Sequence, residues 1–179
     1  MILFLDLETT GLDPFKHHIL EVAAILTDDQ LREMGIYTSI VRFEPEVHAA
    51  DISPVVVRMH TVNGLWSLCV DSQTSVSTVD IGLENWLRKF NHDSVNLAGH
   101  SIHFDQSFLR IHMPHVFARL SRHLIDVEAF DQIAERLWPD IYAARPKKSD
   151  THRAQDDVQG SYRTMRYYAL NLGVTPKAG

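Results

Sequence analysis

Four acidic residues and one histidine, spread over three short segments, have the types and spacing to do chemistry. Asp6 and Glu8 sit two apart at the end of the apolar run Ile2 to Leu7. Alternate side chains of a strand share a face, so both carboxylates project from the same side. Two acids crowded at a strand end repel each other unless a cation lies between them, and hard divalent ions such as Mg²⁺ take such oxygen ligands. A strand end meeting solvent explains Asp-x-Glu alone equally well. Asp105 follows Ala98-Gly99-His100-Ser101 at the opening of a predicted helix, where a lone carboxylate is often only a cap favoured by the helix dipole. The segment His152-Arg153-Ala154-Gln155-Asp156-Asp157 enters a last helix. There Asp157 falls on the edge of the stripe facing the sheet, whereas Asp156 groups with Gly160, Arg163 and Tyr167 and faces out. His152 lies just upstream, and a neutral imidazole is a good proton acceptor near neutral pH. The chain has 11 histidines, so any single one is usually incidental.

The elements that must position these groups follow from hydropathy patterning. Ile2 to Leu7 reads as a central strand buried on both faces, ended by the turn-rich stretch Thr9 to Pro14. Ile19 to Leu26 and Tyr37 to Phe43 read as a hairpin pair. Helical spacing then runs from Asp80, a plausible N-cap, to Phe90. Val95 to Ala98 is a short strand, and Phe104 to Leu120 a helix interrupted near Pro114. Leu124 to Val127 is another strand, Ala129 to Trp138 a helix closed by Pro139, and Arg153 to Leu170 the last helix. Trp66, Trp86 and Trp138 fall at helical core positions. Three strands followed by alternating helices and strands predict an α/β domain with a mixed sheet.

The 179 residues suit one domain, 1–179, and 45% hydrophobic with 22% charged residues is the composition of a soluble globular protein. No apolar run reaches membrane-span length, and MILFLDL is broken at once by Asp6 and Glu8, so neither a membrane partner nor a signal peptide is expected. One cysteine, Cys69, cannot form an internal disulfide, which points to a reducing, cytoplasmic setting. A net charge of −6 argues against a protein that coats long nucleic acid, while allowing one that grips a strand end through bound cations.

The segments DLETTGLDP (Asp6 to Pro14), GHSIHFDQSFL (Gly99 to Leu109) and THRAQDDV (Thr151 to Val158) resemble the three exonuclease motifs of the DEDDh superfamily. Within it the chain is most similar to oligoribonuclease. That likeness also takes in Val56 to Leu65, His112 to Leu120 and Ile125 to Ile141. One motif would be weak; three in order, with histidine five residues before the last aspartate, are specific. The resemblance implies a ribonuclease H-like α/β fold, a mixed five-stranded sheet flanked by helices. It implies 3′→5′ exonuclease activity on short single-stranded RNA or DNA 3′ ends, RNA preferred, releasing nucleoside 5′-monophosphates. Asp6, Glu8, Asp105 and Asp157 would hold two Mg²⁺ ions roughly 4 Å apart, with Mn²⁺ a substitute and Asp6 the bridge. His152 would take the proton of the attacking water.

For the substrate, the resemblance makes Leu12 an apolar wedge between the last two bases and His60 a residue that stacks on a base; the plainer alternatives are a buried turn leucine and a surface histidine. Ser101 would contact a 5′ phosphate, and a homodimer is implied, for which Tyr162, Tyr167 and Tyr168 on the last helix suit an interface, although a place in the core explains them as well. Where an arginine and a serine or threonine are expected to hold that phosphate, this chain has His123 and Glu128. A carboxylate repels phosphate and histidine is a weaker cation than arginine, so either Arg122 substitutes from next door or the strict preference for dinucleotides is relaxed and longer strands enter. Glu21 and Asp126 match no metal position and read as structural. Arg145, Lys147 and Lys148 either meet a phosphate backbone or form a solvated loop. The rival enzymatic reading is a DNA-directed exonuclease of the proofreading or tRNA-trimming kind. A catalytically dead binding domain would be expected to lack one of the five motif residues, and a Mg²⁺ sensor leaves His152 and Leu12 without a role.

Overall fold

A computed structural model describes residues 1–44, 52–147 and 149–172. A five-stranded sheet of order β3-β2-β1-β4-β5 forms its centre. β1 (Ile2–Thr9) is antiparallel to β2 (Ile19–Thr27) and parallel to β4 (Val95–Gly99). β3 (Glu33–Ile40) pairs antiparallel with β2, and β5 (Leu120–Asp126) runs parallel to β4. The sheet is therefore mixed, as expected.

β1 explains the layers. Leu3, Leu5 and Leu7 point to one side, where they pack with Val79, Leu83, Phe108 and Val116 of the helices described below. Phe4 points to the other side, against Ala154, Val158 and Tyr162. Asp6 and Glu8 continue the row of Phe4, so the strand that anchors the core ends with two carboxylates on the face of the last helix.

Eight helices are described. Pro54–Val62 (α1) and Leu65–Asp71 (α2) occupy a region for which the hydropathy pattern delimits no element, although Trp66, read as a helical core residue, is buried in α2. α3 spans Val76–Arg88, and its N-cap is Ser75, not Asp80. Asp80 lies a turn inside the helix, buried, and accepts backbone N–H bonds from His115 and Val116. α4 (His103–His112) and α5 (Pro114–Phe117) are separated at Pro114, which cannot continue the hydrogen-bond ladder of α4. α6 (Val127–Leu137) is capped by Asp126, α7 is Pro139–Ala143, and α8 is Ala154–Asn171.

One further expectation is corrected, and one pair of alternatives is decided for the core. Trp138 is not a core residue: it is the C-cap of α6 and is exposed. Tyr162 and Tyr168 are buried within the chain, and the Tyr167 hydroxyl donates to the Ile141 carbonyl, so these rings do not form a free aromatic surface. No helix among the described residues is long and apolar enough to cross a membrane.

Candidate active site

The carboxylates of Asp6, Glu8 and Asp157 converge: each offers a ligand oxygen, and these lie within 4.8 Å of one another. Asp6 and Glu8 come from the end of β1, and Asp157 from the first turn of α8, next to the core residues Ala154 and Val158. Asp105 reaches the same strand end from the other side of the sheet. It is not an N-cap; its Oδ1 accepts the Leu7 N–H at 2.9 Å, between the positions of Asp6 and Glu8. Gly99, just upstream, allows the close approach of β4 to β1, since a Cβ there would meet the Leu5 carbonyl oxygen at 2.8 Å. Asp156 turns away and accepts a hydrogen bond from Thr151 Oγ1 at 2.6 Å.

Glu8 and Asp105 are held far from their ordinary behaviour. The Glu8 carboxyl is pushed up to about 8, first by burial, then by Asp157, Glu21 and Asp105, with Arg153 pulling the other way. Burial also pushes Asp105 up to about 8, against the opposing effect of the Leu7 N–H. A dry, acidic cluster of this kind lacks positive charge. The nearby cation does not supply it: Arg153 donates to both oxygens of Glu21, at 2.8 and 3.0 Å, and Glu21 also accepts the Ala154 N–H. Asp6, Glu8 and Asp157 therefore fit a hard divalent cation, which prefers carboxylate oxygen, while Asp105 lies outside that three-carboxylate group.

His152 stands at the entrance to α8, exposed, with a left-handed backbone (φ 49°). That conformation is costly for a non-glycine residue and here is held by Asn63, whose side-chain amide donates to the carbonyls of Thr151 and His152. Asn63, Arg153 and Glu21 thus position the site. An Asn-Gly pair in the sequence signals a turn but not this contact.

Leu12 is 81% exposed at the tip of the loop after β1. The loop is held by hydrogen bonds from Thr9 Oγ1 to the Gly11 carbonyl and from the Asp13 N–H to His17 Nδ1. Ser101 is exposed, also left-handed (φ 51°), and its N–H donates to Asp126. His60 departs from expectation. It is 0% exposed, its ring set edge-on to Trp66, and its Nε2 meets the Thr9 carbonyl at 3.2 Å and Glu8 at 3.8 Å. Burial holds its pKa below the ordinary value, so it is neutral. In this packing the ring stands behind Glu8, with no face open to a base.

A second group, His100, Glu128 and Asp131, also brings three ligand atoms together. Asp131 in this group is already engaged: Arg145 Nε lies 3.3 Å from it and it accepts the Tyr168 hydroxyl, while Glu128 accepts from the Gln132 side-chain amide. Arg145 further stacks over Tyr142 and is a structural cation here; Lys148 lies outside the described residues.

Residues 3–165 match the model of the RNase_T family, described as exonuclease. The chain belongs to this exonuclease family. The enzyme is 32% identical over 178 residues to an oligoribonuclease of Nocardia farcinica, covering 98% of this chain and 82% of the relative. It is 33% identical over 172 residues to a probable oligoribonuclease of Drosophila melanogaster, with 96% and 82% covered. Among solved structures, exonuclease I of Methylocaldum szegediense superposes with a TM-score of 0.72 at 17% identity, over 98% of this chain and 41% of that one. An E. coli exonuclease I solved with a dT13 oligonucleotide gives 0.69 at 15% identity, over 94% and 40%. The chain spans about two fifths of those two proteins, and at such identity they show the fold, which is ribonuclease H-like. The enzyme is a 3′→5′ exonuclease.

Proposed function

We propose that the enzyme, acting as one domain over residues 1–179, removes nucleotides singly from the 3′ ends of short single-stranded oligonucleotides, RNA in preference to DNA. The observation that supports this is the convergence of Asp6, Glu8 and Asp157 within 4.8 Å beside the buried Asp105. These four carboxylates would hold two Mg²⁺ ions, or Mn²⁺ in their place. Bound there, divalent ions supply Lewis-acid polarisation and neutralise charge developing on the phosphate.

The chain's own residues do the rest. His152 accepts a proton from the attacking water. The water oxygen bonds to phosphorus as the bond to the 3′ oxygen of the preceding nucleotide breaks. The products are a nucleoside 5′-monophosphate and a strand shorter by one, whose 3′ oxygen recovers a proton from solvent. Leu12 enters between the last two bases, and its exposure leaves it available to do so. Ser101 contacts the phosphate on the 5′ side. His60 positions Glu8 and Thr9 instead of touching a base. The enzyme acts as a homodimer in the cytoplasm, where the buried Cys69 remains a thiol.

The test is a time course with Mg²⁺ on RNA and DNA, each supplied as a dinucleotide, a heptamer and a longer strand, beside an Asp157→Asn control. Loss of short RNA one nucleotide at a time, abolished in the control, is the expected result. Preference for DNA would move the enzyme to the proofreading type. Absence of cleavage with either Mg²⁺ or Mn²⁺ would overturn the reading.

A further inference from the structure

We propose that strands longer than two nucleotides are bound by a cationic cleft along the outer face of α4, which takes the 5′ continuation of the strand. The inference rests on the substrate reading above and names where the rest of that substrate goes. The cleft has a volume of about 560 Å³, and its walls include Phe15, His103, Gln106, Arg110, Phe117 and Arg122.

His103, Gln106, Ser107 and Arg110 lie at i, i+3, i+4 and i+7, one stripe of α4. Asp105 projects from the opposite side of the same helix, where it meets Leu7. One helix thus presents an acid inward to the catalytic cluster and a polar, cationic stripe outward. His103 is two residues from Ser101 and 3.7 Å from Asp126, the same carboxylate that receives the Ser101 N–H. The stripe therefore begins where the proposed phosphate contact lies. From His103 to Arg110 it rises about 10 Å, longer than the roughly 3.4 Å per nucleotide of a stacked strand.

The facing wall is the loop that carries Leu12. His112 Nε2 meets the Pro14 carbonyl at 2.8 Å and ties that loop to the end of α4. Phe15, next in sequence, is 85% exposed, a ring with a free face for a base. Charge selects the ligand. Arg110 and Arg122 make no ion pair with a carboxylate among the described residues, and none of the described residues lining the cleft is acidic. In a chain of net charge −6 this is a local excess of cations. A second cleft, of about 430 Å³, mixes Glu128, Asp131 and Asp150 with Arg145 and Lys147 in its walls, so it offers a phosphate backbone no surplus of cations.

The experiment compares the unaltered enzyme with Arg110→Gln and Phe15→Ala, both at exposed positions. Binding of unlabelled RNA dinucleotide and heptamer is measured by calorimetry with Ca²⁺ in place of Mg²⁺, and turnover of both with Mg²⁺. Each variant is expected to weaken heptamer binding and raise its KM about tenfold, with kcat and the dinucleotide KM changed less than twofold. For Arg110→Gln the slope of log affinity against log salt should fall by about 0.7 for the heptamer alone, one phosphate contact fewer. Equal effects on both lengths, or none on the heptamer, would overturn the inference. Heptamer binding that depends on Arg110 and Phe15 without any turnover would uphold the cleft while refuting the catalytic reading. An unaltered enzyme that binds neither strand would refute both.

Discussion

Glu8 stands directly opposite Glu21 across the β1–β2 ladder, and the guanidinium of Arg153 closes on Glu21. The two carboxylates are neighbours in register with different fates. Glu21 becomes a structural anion that fixes the start of α8 through Arg153 and the Ala154 N–H. Glu8 is left among Asp157, Asp105 and Glu21, with its carboxyl pushed up to about 8.

That arrangement sets the pH dependence of the metal-free protein. Glu8 moves from an ordinary 4.5, and Asp105 from 3.8, each to about 8 in the folded chain. Both are raised, so the folded state binds the extra protons. Their stabilising contribution is complete below about pH 4 and is lost as pH rises towards 8. Thermal denaturation in chelator should therefore show Tm falling between pH 5 and 8, more steeply in the unaltered protein than in Glu8→Gln. Added Mg²⁺ should raise Tm more at pH 8 than at pH 6, because at the lower pH the cations compete with protons. Identical Tm-against-pH slopes for the two proteins in chelator would refute the assignment.

The Arg153–Glu21 pair orients the site without belonging to it. Removing one partner of a hydrogen-bonded pair that is largely buried leaves the other charge uncompensated, a cost of roughly 3–5 kcal/mol at full burial and less here, because Arg153 is partly exposed. Arg153→Gln should lower Tm by several degrees and lower kcat at least tenfold, since it loosens the turn holding both His152 and Asp157. Glu21→Gln should keep more activity, because it also removes a negative charge facing Glu8. Mg²⁺ titrations of both variants check this; a Glu21→Gln enzyme needing more Mg²⁺ than Arg153→Gln would contradict it.

The wedge loop depends on a glycine for packing. A Cβ on Gly11 would meet the His17 ring at 2.5 Å, and that ring receives the Asp13 N–H. Gly11→Ala should displace the ring and with it the Leu12 tip. Leu12→Ala removes only the wedge. Burying a leucine side chain between two bases is worth roughly 1.5–3 kcal/mol, so each variant should raise the dinucleotide KM about tenfold or more. Steady-state kinetics on the dinucleotide decide it, and an unchanged KM in Leu12→Ala removes the wedge role.

What the sequence makes legible depends on how local the physics is. β1 and β2 are continuous apolar runs, buried on both faces, and both are visible at once. β3 begins at Glu33, earlier than hydropathy suggests, because an edge strand tolerates polar and small residues such as Glu33 and Gly35. α1 is hidden by Val55, Val56 and Val57, whose branching favours strands, although Ser53 as N-cap and Pro54 at the first turn are start signals. The meeting of Asp6, Glu8 and Asp157 is legible from strand alternation and helix stripe. The Arg153–Glu21 contact spans 132 residues and leaves no periodic trace. The burial of His60 is hidden for the same reason: without α1 its place behind Glu8 is not visible.

His60 then offers a decision between two roles. A residue that stacks on a base acts in binding, so its loss raises KM and leaves kcat nearly intact. The observed His60 is sealed from solvent, touches the Thr9 carbonyl and faces Glu8 at 3.8 Å. Its loss should act on the orientation of Glu8 and hence on kcat and Mg²⁺ demand. His60→Ala also opens a cavity beside Trp66 and should cost about 2–4 kcal/mol of stability, so His60→Gln is the cleaner probe: it retains a donor for Thr9 with less lost volume. We expect His60→Gln to lower kcat several-fold at saturating Mg²⁺, to need more Mg²⁺ for half-maximal rate, and to leave the dinucleotide KM within twofold. A raised KM at unchanged kcat would return His60 to the substrate, which would require α1 to move when the strand binds.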